Sequence, residues 1–178
     1  MRVEQQGHSE CMLSTIAALA HRPLAEVRAI ACRKAGVRVW RGVFRKRVGV
    51  RHVLFARSII ATCQELDGTG RLAAMVNRVP ATVAHGTGIV VHTSRATLPE
   101  RTLPSKGIGT VVIRSPRGRA HIAPWQDGIV YDPNKPDEPC TLVDFAARYR
   151  MFVVSVTVTQ EPNGNPEDCP TPSPDMGY

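Results

Sequence analysis

The chain has 178 residues, 43% of them hydrophobic, and a formal net charge of +8 at neutral pH. That is material for one domain with a real core; no apolar run reaches the ~20 residues that cross a bilayer, and the first residues lack the basic-then-apolar order of a secretory signal, so a soluble, cytoplasmic protein is expected. Five cysteines, Cys11, Cys32, Cys63, Cys140 and Cys169, are odd in number and widely scattered, which suits neither a disulfide framework nor paired zinc knuckles and points to a reducing compartment.

The first stretch, "VEQQGHSECMLSTIAALA", sets a Gln-rich approach against a cysteine and an apolar run. Leu13, Ile16, Ala17 and Ala20 mark one helical face, yet Met12 and Leu19 lie on another, so this first helix is expected to be central and wrapped by protein. Ser9 suits the N-cap, which puts Cys11 in the first turn. A second helix is announced by Pro23 with Glu26 nearby, and Gly36 after Arg33 and Lys34 is a good stop. Next comes "VRVWRGVFRKRVGVRHVLFAR", where Arg38, Arg41, Arg45, Lys46, Arg47, Arg51 and Arg57 stand without an acid and Trp40, Phe44 and Phe55 are interleaved. Such a strip attracts phosphate or an acidic protein surface, though a solvated face accounts for it equally well and no nucleic-acid motif frames it. A third helix is expected from Val50 to Leu66, with Val53, Leu54, Ile60 and Ala61 at helical spacing before "DGTG" ends it.

After Gly70 the pattern changes to short β-rich runs: "GIVVHTS", "GIGTVVIRS", "RAHIAPW", "GIVYDP" and "FVVSVTVTQ", with Gln126-Asp127-Gly128 as a tight connection. A short helix, "TLVDFAARYR", interrupts them before the last strand. Residues 161–178 are rich in Pro and polar residues and hold four acids and no base, the composition of a disordered acidic tail. Helices first and a meandering antiparallel sheet second is the order of an α+β fold: one domain over 1–160, helical over 1–66 and β over 67–160.

That order has chemical consequences for Cys11. Unpaired N–H groups and the dipole at a helix start stabilise a thiolate, but only by about 0.3–1 kcal/mol, so a histidine partner is needed. His121 lies on one expected strand and Asp132 ends the next, so a hairpin can bring base and orienting carboxylate side by side. Cysteine, histidine and carboxylate form the Cys version of the acyl-transfer triad, and the Gln5 amide together with the Cys11 N–H can donate to the oxyanion. Glu10, next to the thiol, opposes its ionisation unless it points away or pairs with a cation.

On these residues, Gln5 six positions before Cys11 at the head of a helix and then a sheet with His121 and Asp132, the chain resembles the papain-like cysteine peptidases. With Glu10 directly before the cysteine it is most similar in pattern to the bacteriocin-processing peptidase domains of ABC transporters and their relatives. The resemblance covers most of residues 3–160. It implies a papain-like α+β fold with N-terminal helices packed on an antiparallel sheet, and a thiol hydrolase acting on a peptide, isopeptide or side-chain amide. Cys11 is then the nucleophile, His121 the base, Asp132 its orienter and Gln5 the oxyanion donor. Relatives of this fold are also amidases, deamidases and transglutaminases, so an amine-accepting acyl transferase stays open. So does a binding module docking nucleic acid or an acidic protein through the basic strip.

Rivals for each role are weaker. Gln6 is one position out of register; His8 has no evident orienter; His85 and His92 serve only if His121 does not. Trp125 is read as core, with a cleft wall as the alternative. Cys32 and Cys63 are read as core residues. No phosphate loop, nucleophile elbow or His/Cys metal pair is visible, so no cofactor and no metal are expected.

Overall fold

The computed structural model describes residues 1–4, 10–40, 50–68, 70–77, 89–93, 106–114, 120–150 and 152–159. In chain order these give α1 (Cys11–Ala20), α2 (Leu24–Ala35), α3 (Val50–Leu66), α4 (Arg71–Asn77), β1 (Ile89–Thr93), β2 (Ile108–Arg114), β3 (Ala120–Gln126), β4 (Ile129–Val130), β5 (Cys140–Thr141), α5 (Leu142–Arg148) and β6 (Phe152–Thr159). The fold is mixed α+β, and every strand pairing is antiparallel.

The helical part follows from its apolar pattern. Every residue of α1 from Leu13 to Leu19 is buried, as an all-round apolar helix requires. Leu13 and Ile16 are wholly excluded from solvent, a transfer worth roughly 1.5–3 kcal/mol each. They join Val27 and Ala31 of α2, Ile59 and Cys63 of α3 and Leu72, Met75 and Val76 of α4 in one cluster. Gly36 stops α2 at φ +66°, with the Val37 N–H on the Cys32 carbonyl at 3.0 Å, the left-handed cap that glycine adopts without strain. At the other end of α2, Pro23 brings no capping side chain, and Glu4 Oε1 instead accepts from the Leu24 N–H at 3.0 Å. The same helix is tied to α3 by Arg33 and Lys34, both on Glu65.

Several expectations need correction. α1 opens at Cys11 with Glu10 in the capping position, its carbonyl taking the Ser14 N–H at 3.0 Å; Ser9 lies outside the described residues. The buried face of α3 runs through Ser58, Ile59, Thr62 and Cys63, not Ile60 and Ala61, because this is the face turned to α1 and α2. The β half does not start after Gly70: "RLAAMVN" forms α4, opened by Asp67 Oδ2 accepting from the Leu72 N–H at 2.8 Å, and the helical layer extends to residue 77. Seven residues are too few for a helical period to stand out.

The sheet runs β1-β6-β2-β3-β4-β5. It is not the meander expected from the sequence, because the last strand inserts between β1 and β2, with a register shift at Val112/Ile113. Strand alternation gives β2 two roles. Val111 and Ile113 join Ala123, Trp125, Val130 and the α5 residues Leu142 and Phe145 in a second cluster. On the opposite face, Ile108 packs on the helical cluster and Thr110 Oγ1 donates to the Met75 carbonyl of α4 at 2.9 Å. The β3–β4 turn carries positive φ at Asp127 (50°) and Gly128 (86°), the signature of a tight hairpin connection.

Candidate active site

The short length of β4 creates the site. β4 pairs with β3 only at Trp125 and Gln126, so the margin of β3 beside Ile122 is left to another partner, and the start of α1 takes it. The Thr15 hydroxyl reaches back to the Cys11 carbonyl at 2.7 Å and across to the Ile122 carbonyl at 3.4 Å. The Ile122 backbone also favours the anion of the Cys11 sulfur. The head of α1 is thereby fastened one residue from His121.

Cys11, His121 and Asp132, separated by up to 121 residues of chain, meet here. The Cys11 thiol, half-buried at the first helical position, is close enough to the His121 ring for each to shift the other's ionisation. His121 Nε2 lies 2.9 Å from Asp132 Oδ1, which leaves Nδ1 as the ring atom for the sulfur. The side chain of His121 is 8% exposed and that of Asp132 0%, so solvent screens the pair very little.

Asp132 does not reach His121 as a ladder neighbour. Continued past Val130, the β3–β4 register would put residue 134 opposite His121. Instead the chain leaves the strand in a turn with Pro133 second, the Lys135 N–H returning to the Asp132 carbonyl at 2.9 Å and the Asn134 N–H to Oδ1 at 2.9 Å. Aspartate followed by proline favours this turn, and the Asx bond aims the carboxylate.

The other carboxylate oxygen is held from α5 and the residue after it. Tyr149 Oη donates to Asp132 Oδ2 at 2.6 Å and accepts from Asn134 Nδ2 at 2.8 Å. Arg148 Nη1 stands 3.4 Å from the same oxygen, and its Nη2 reaches the Glu138 carbonyl at 3.4 Å. The rings of Tyr149 and Phe145 flank the imidazole at centroid distances of 4.9 and 5.6 Å. Helix α5 is set by Thr141, whose hydroxyl caps the Asp144 N–H at 3.2 Å. The sequence showed α5 as an element but not these roles for Asn134, Arg148 and Tyr149; the one local hint was the Asp-Pro-Asn turn.

These contacts separate the three ionisations. Burial raises the Cys11 thiol, but the hydrogen bond and charge of His121 outweigh it, and the net shift is downward. Burial also opposes a charged imidazole, yet the bonds to Asp132 and Cys11 lift His121 to about 9. For Asp132 the penalty of burial is overcome by His121, Tyr149 and the Asn134 N–H, which bring it to about 2. The arrangement favours thiolate beside imidazolium, with a carboxylate behind.

Glu10 is buried, yet it does not stand alone beside the thiol. Arg28 of α2 meets it as a fork, Nε to Oε1 at 2.7 Å and Nη2 to Oε2 at 2.9 Å. Trp125 is wholly buried in the β cluster with Phe145, a core residue. Cys63 is likewise core and Cys32 half-buried. His92 lies on β1, opposite Val156 of β6, with β6 and β2 between its strand and β3. Gln5, Gln6, His8, His85, Cys169, the tail 161–178 and, of the basic strip, Arg41, Arg45, Lys46 and Arg47 lie outside the described residues. Arg38 is exposed, and Arg51 is placed on α3 by its backbone alone. Among the described residues no cluster of His, Cys, Asp and Glu could hold a metal ion, and no helix is long and apolar enough to cross a membrane. No family model, curated protein or solved structure matches the chain.

Proposed function

We propose that this chain is a papain-like thiol hydrolase that cleaves a peptide, isopeptide or side-chain amide bond. One observation carries the reading: at the head of a buried helix Cys11 is coupled to His121, and His121 Nε2 is bonded to Asp132 Oδ1 at 2.9 Å, with the sulfur pushed toward its anion and the imidazole toward its cation. A structural cysteine in a core has no need of such partners.

The cycle follows from those charges. The Cys11 thiolate attacks the amide carbon, forming a C–S bond and moving the carbonyl electrons onto oxygen. The Cys11 N–H at the helix start and the Gln5 amide are the proposed oxyanion donors. His121 gives its proton to the departing nitrogen as the C–N bond breaks, leaving a thioester and a neutral imidazole. Water then attacks, His121 takes its proton, and collapse releases the acid and restores thiolate and imidazolium. Asp132 holds the ring in register and stays ionised throughout.

The test is chemical. Iodoacetamide at low stoichiometry and neutral pH is expected to label Cys11 ahead of the other four cysteines, as read by peptide mapping. Turnover of a peptide library in ¹⁸O-water is expected to place the heavy atom in the new carboxyl group, with an alkaline limb near the value of about 9 set by His121. Labelling spread evenly over the cysteines, or products that carry an added amine and no ¹⁸O, would remove the hydrolase assignment.

A further inference from the structure

Asp132 stands behind the imidazole, but a second carboxylate, that of Glu10, comes immediately before the nucleophile. Glu10 is adjacent to Cys11, its side chain is 8% exposed, and it sits at the N-terminus of α1. A bare anion there would repel both the thiolate and the oxyanion that forms over the helix start. Its partner comes from another element: Arg28, on the second turn of α2, closes a two-bond fork on it. Planar, two-point pairing of this kind fixes position as well as charge.

We propose that Arg28 is a positioning residue of the catalytic site, one that cancels and immobilises the Glu10 carboxylate so that the thiolate of Cys11 forms at neutral pH. The inference rests on the thiol hydrolase reading and adds a residue to it. The charges around Cys11 include His121 and, through it, Asp132, Tyr149 and Arg148 from the sheet side, and the Glu10–Arg28 pair from the helical side, with Glu4 and Cys32 acting on Arg28 itself. The fork has a structural share too, since it ties the start of α1 to α2. A charge role and a structural role therefore predict different outcomes.

The experiment is the pH dependence of Cys11 alkylation by iodoacetamide in the full chain, for the wild type, Arg28→Gln, Arg28→Lys, Glu10→Gln and Glu10→Gln/Arg28→Gln. Arg28→Gln is expected to move the ionisation midpoint of Cys11 upward by roughly one unit, about a tenfold change in its ionisation constant. Arg28→Lys keeps the charge and is expected to stay near the wild type, as is the double variant, which removes both charges. If Arg28→Gln does not fold, Glu10→Gln decides in its place: it leaves the Arg28 cation unopposed and is expected to move the midpoint downward, and an unshifted midpoint in it overturns the role. An unshifted midpoint in Arg28→Gln, or a double variant shifted as far as Arg28→Gln, also overturns it while the hydrolase reading stands. A wild-type Cys11 that titrates like an ordinary thiol overturns both.

Discussion

Cys11 and Cys63 are two cysteines of the same helical layer with opposite fates. Cys63, in the last turn of α3, is wholly buried among Ile16, Val27, Ile59 and their neighbours, and burial, helped by the charge of Asp67, pushes its thiol up to about 12. Cys11, at the head of α1, also meets a desolvation penalty, yet its thiol moves down. The largest difference is one imidazole. Removal from water always favours the neutral thiol, so a reactive cysteine in an apolar layer has to be brought to a cation that the layer does not contain. Here the β-sheet supplies it.

The most severe way to break this contrast is to delete the cation. His121→Ala is expected to make Cys11 behave like Cys63: its alkylation at neutral pH should fall by ~100-fold or more, with hydrolysis lost. Competitive labelling with mass-spectrometric readout of each cysteine measures both thiols at once.

Asp132→Asn comes next. It keeps the shape of the site but not the charge behind the ring, and kcat/KM is expected to drop by about 10² to 10⁴. The same residue sets an acid limit on stability. Its folded value of about 2 lies below its ordinary one of 3.8. Its contribution is therefore complete above pH ~4 and is lost as the pH falls through 2, on the order of 2 kcal/mol in all. Chemical denaturation between pH 5 and 2 should show that slope in the wild type and a flatter one in the variant.

Tyr149→Phe sharpens the contrast without abolishing it. Loss of the 2.6 Å bond to Oδ2 should cost roughly 1–2 kcal/mol of stability and lower kcat several-fold, with KM little changed, as the carboxylate loses one of its holds. A steady-state kinetic comparison with the wild type checks it. Smallest of all is Cys63→Ala: it should leave the labelling of Cys11 and the turnover unchanged and cost about 1–2 kcal/mol in thermal unfolding.

Much of this was legible in the sequence, and for identifiable reasons. Gly36 and the Asp127-Gly128 turn are local signals, because each depends on backbone conformations that few residues adopt. The pairing of His121 with Asp132 was legible as a hairpin, although the contact is made by a proline turn and not by the ladder. What could not be read was written in contacts between distant elements. Arg28 looks like any solvated helix arginine until α2 is laid against the head of α1, and Tyr149 like the frayed end of a helix until α5 is folded under the imidazole. α4 and β5 were missed because seven and two residues are too short to show a period. The insertion of β6 between β1 and β2 is a matter of topology that strand patterns do not encode.

The brevity of β4 has one more consequence. A bare strand margin invites a strand from another molecule, and sheets guard against this by covering such margins. Here the cover is a helix, fastened at Thr15 and bearing Cys11. The contact that seats the sulfur is thus also a seal against edge-to-edge self-association, and a chain loosened at that point stands to become sticky as well as slow.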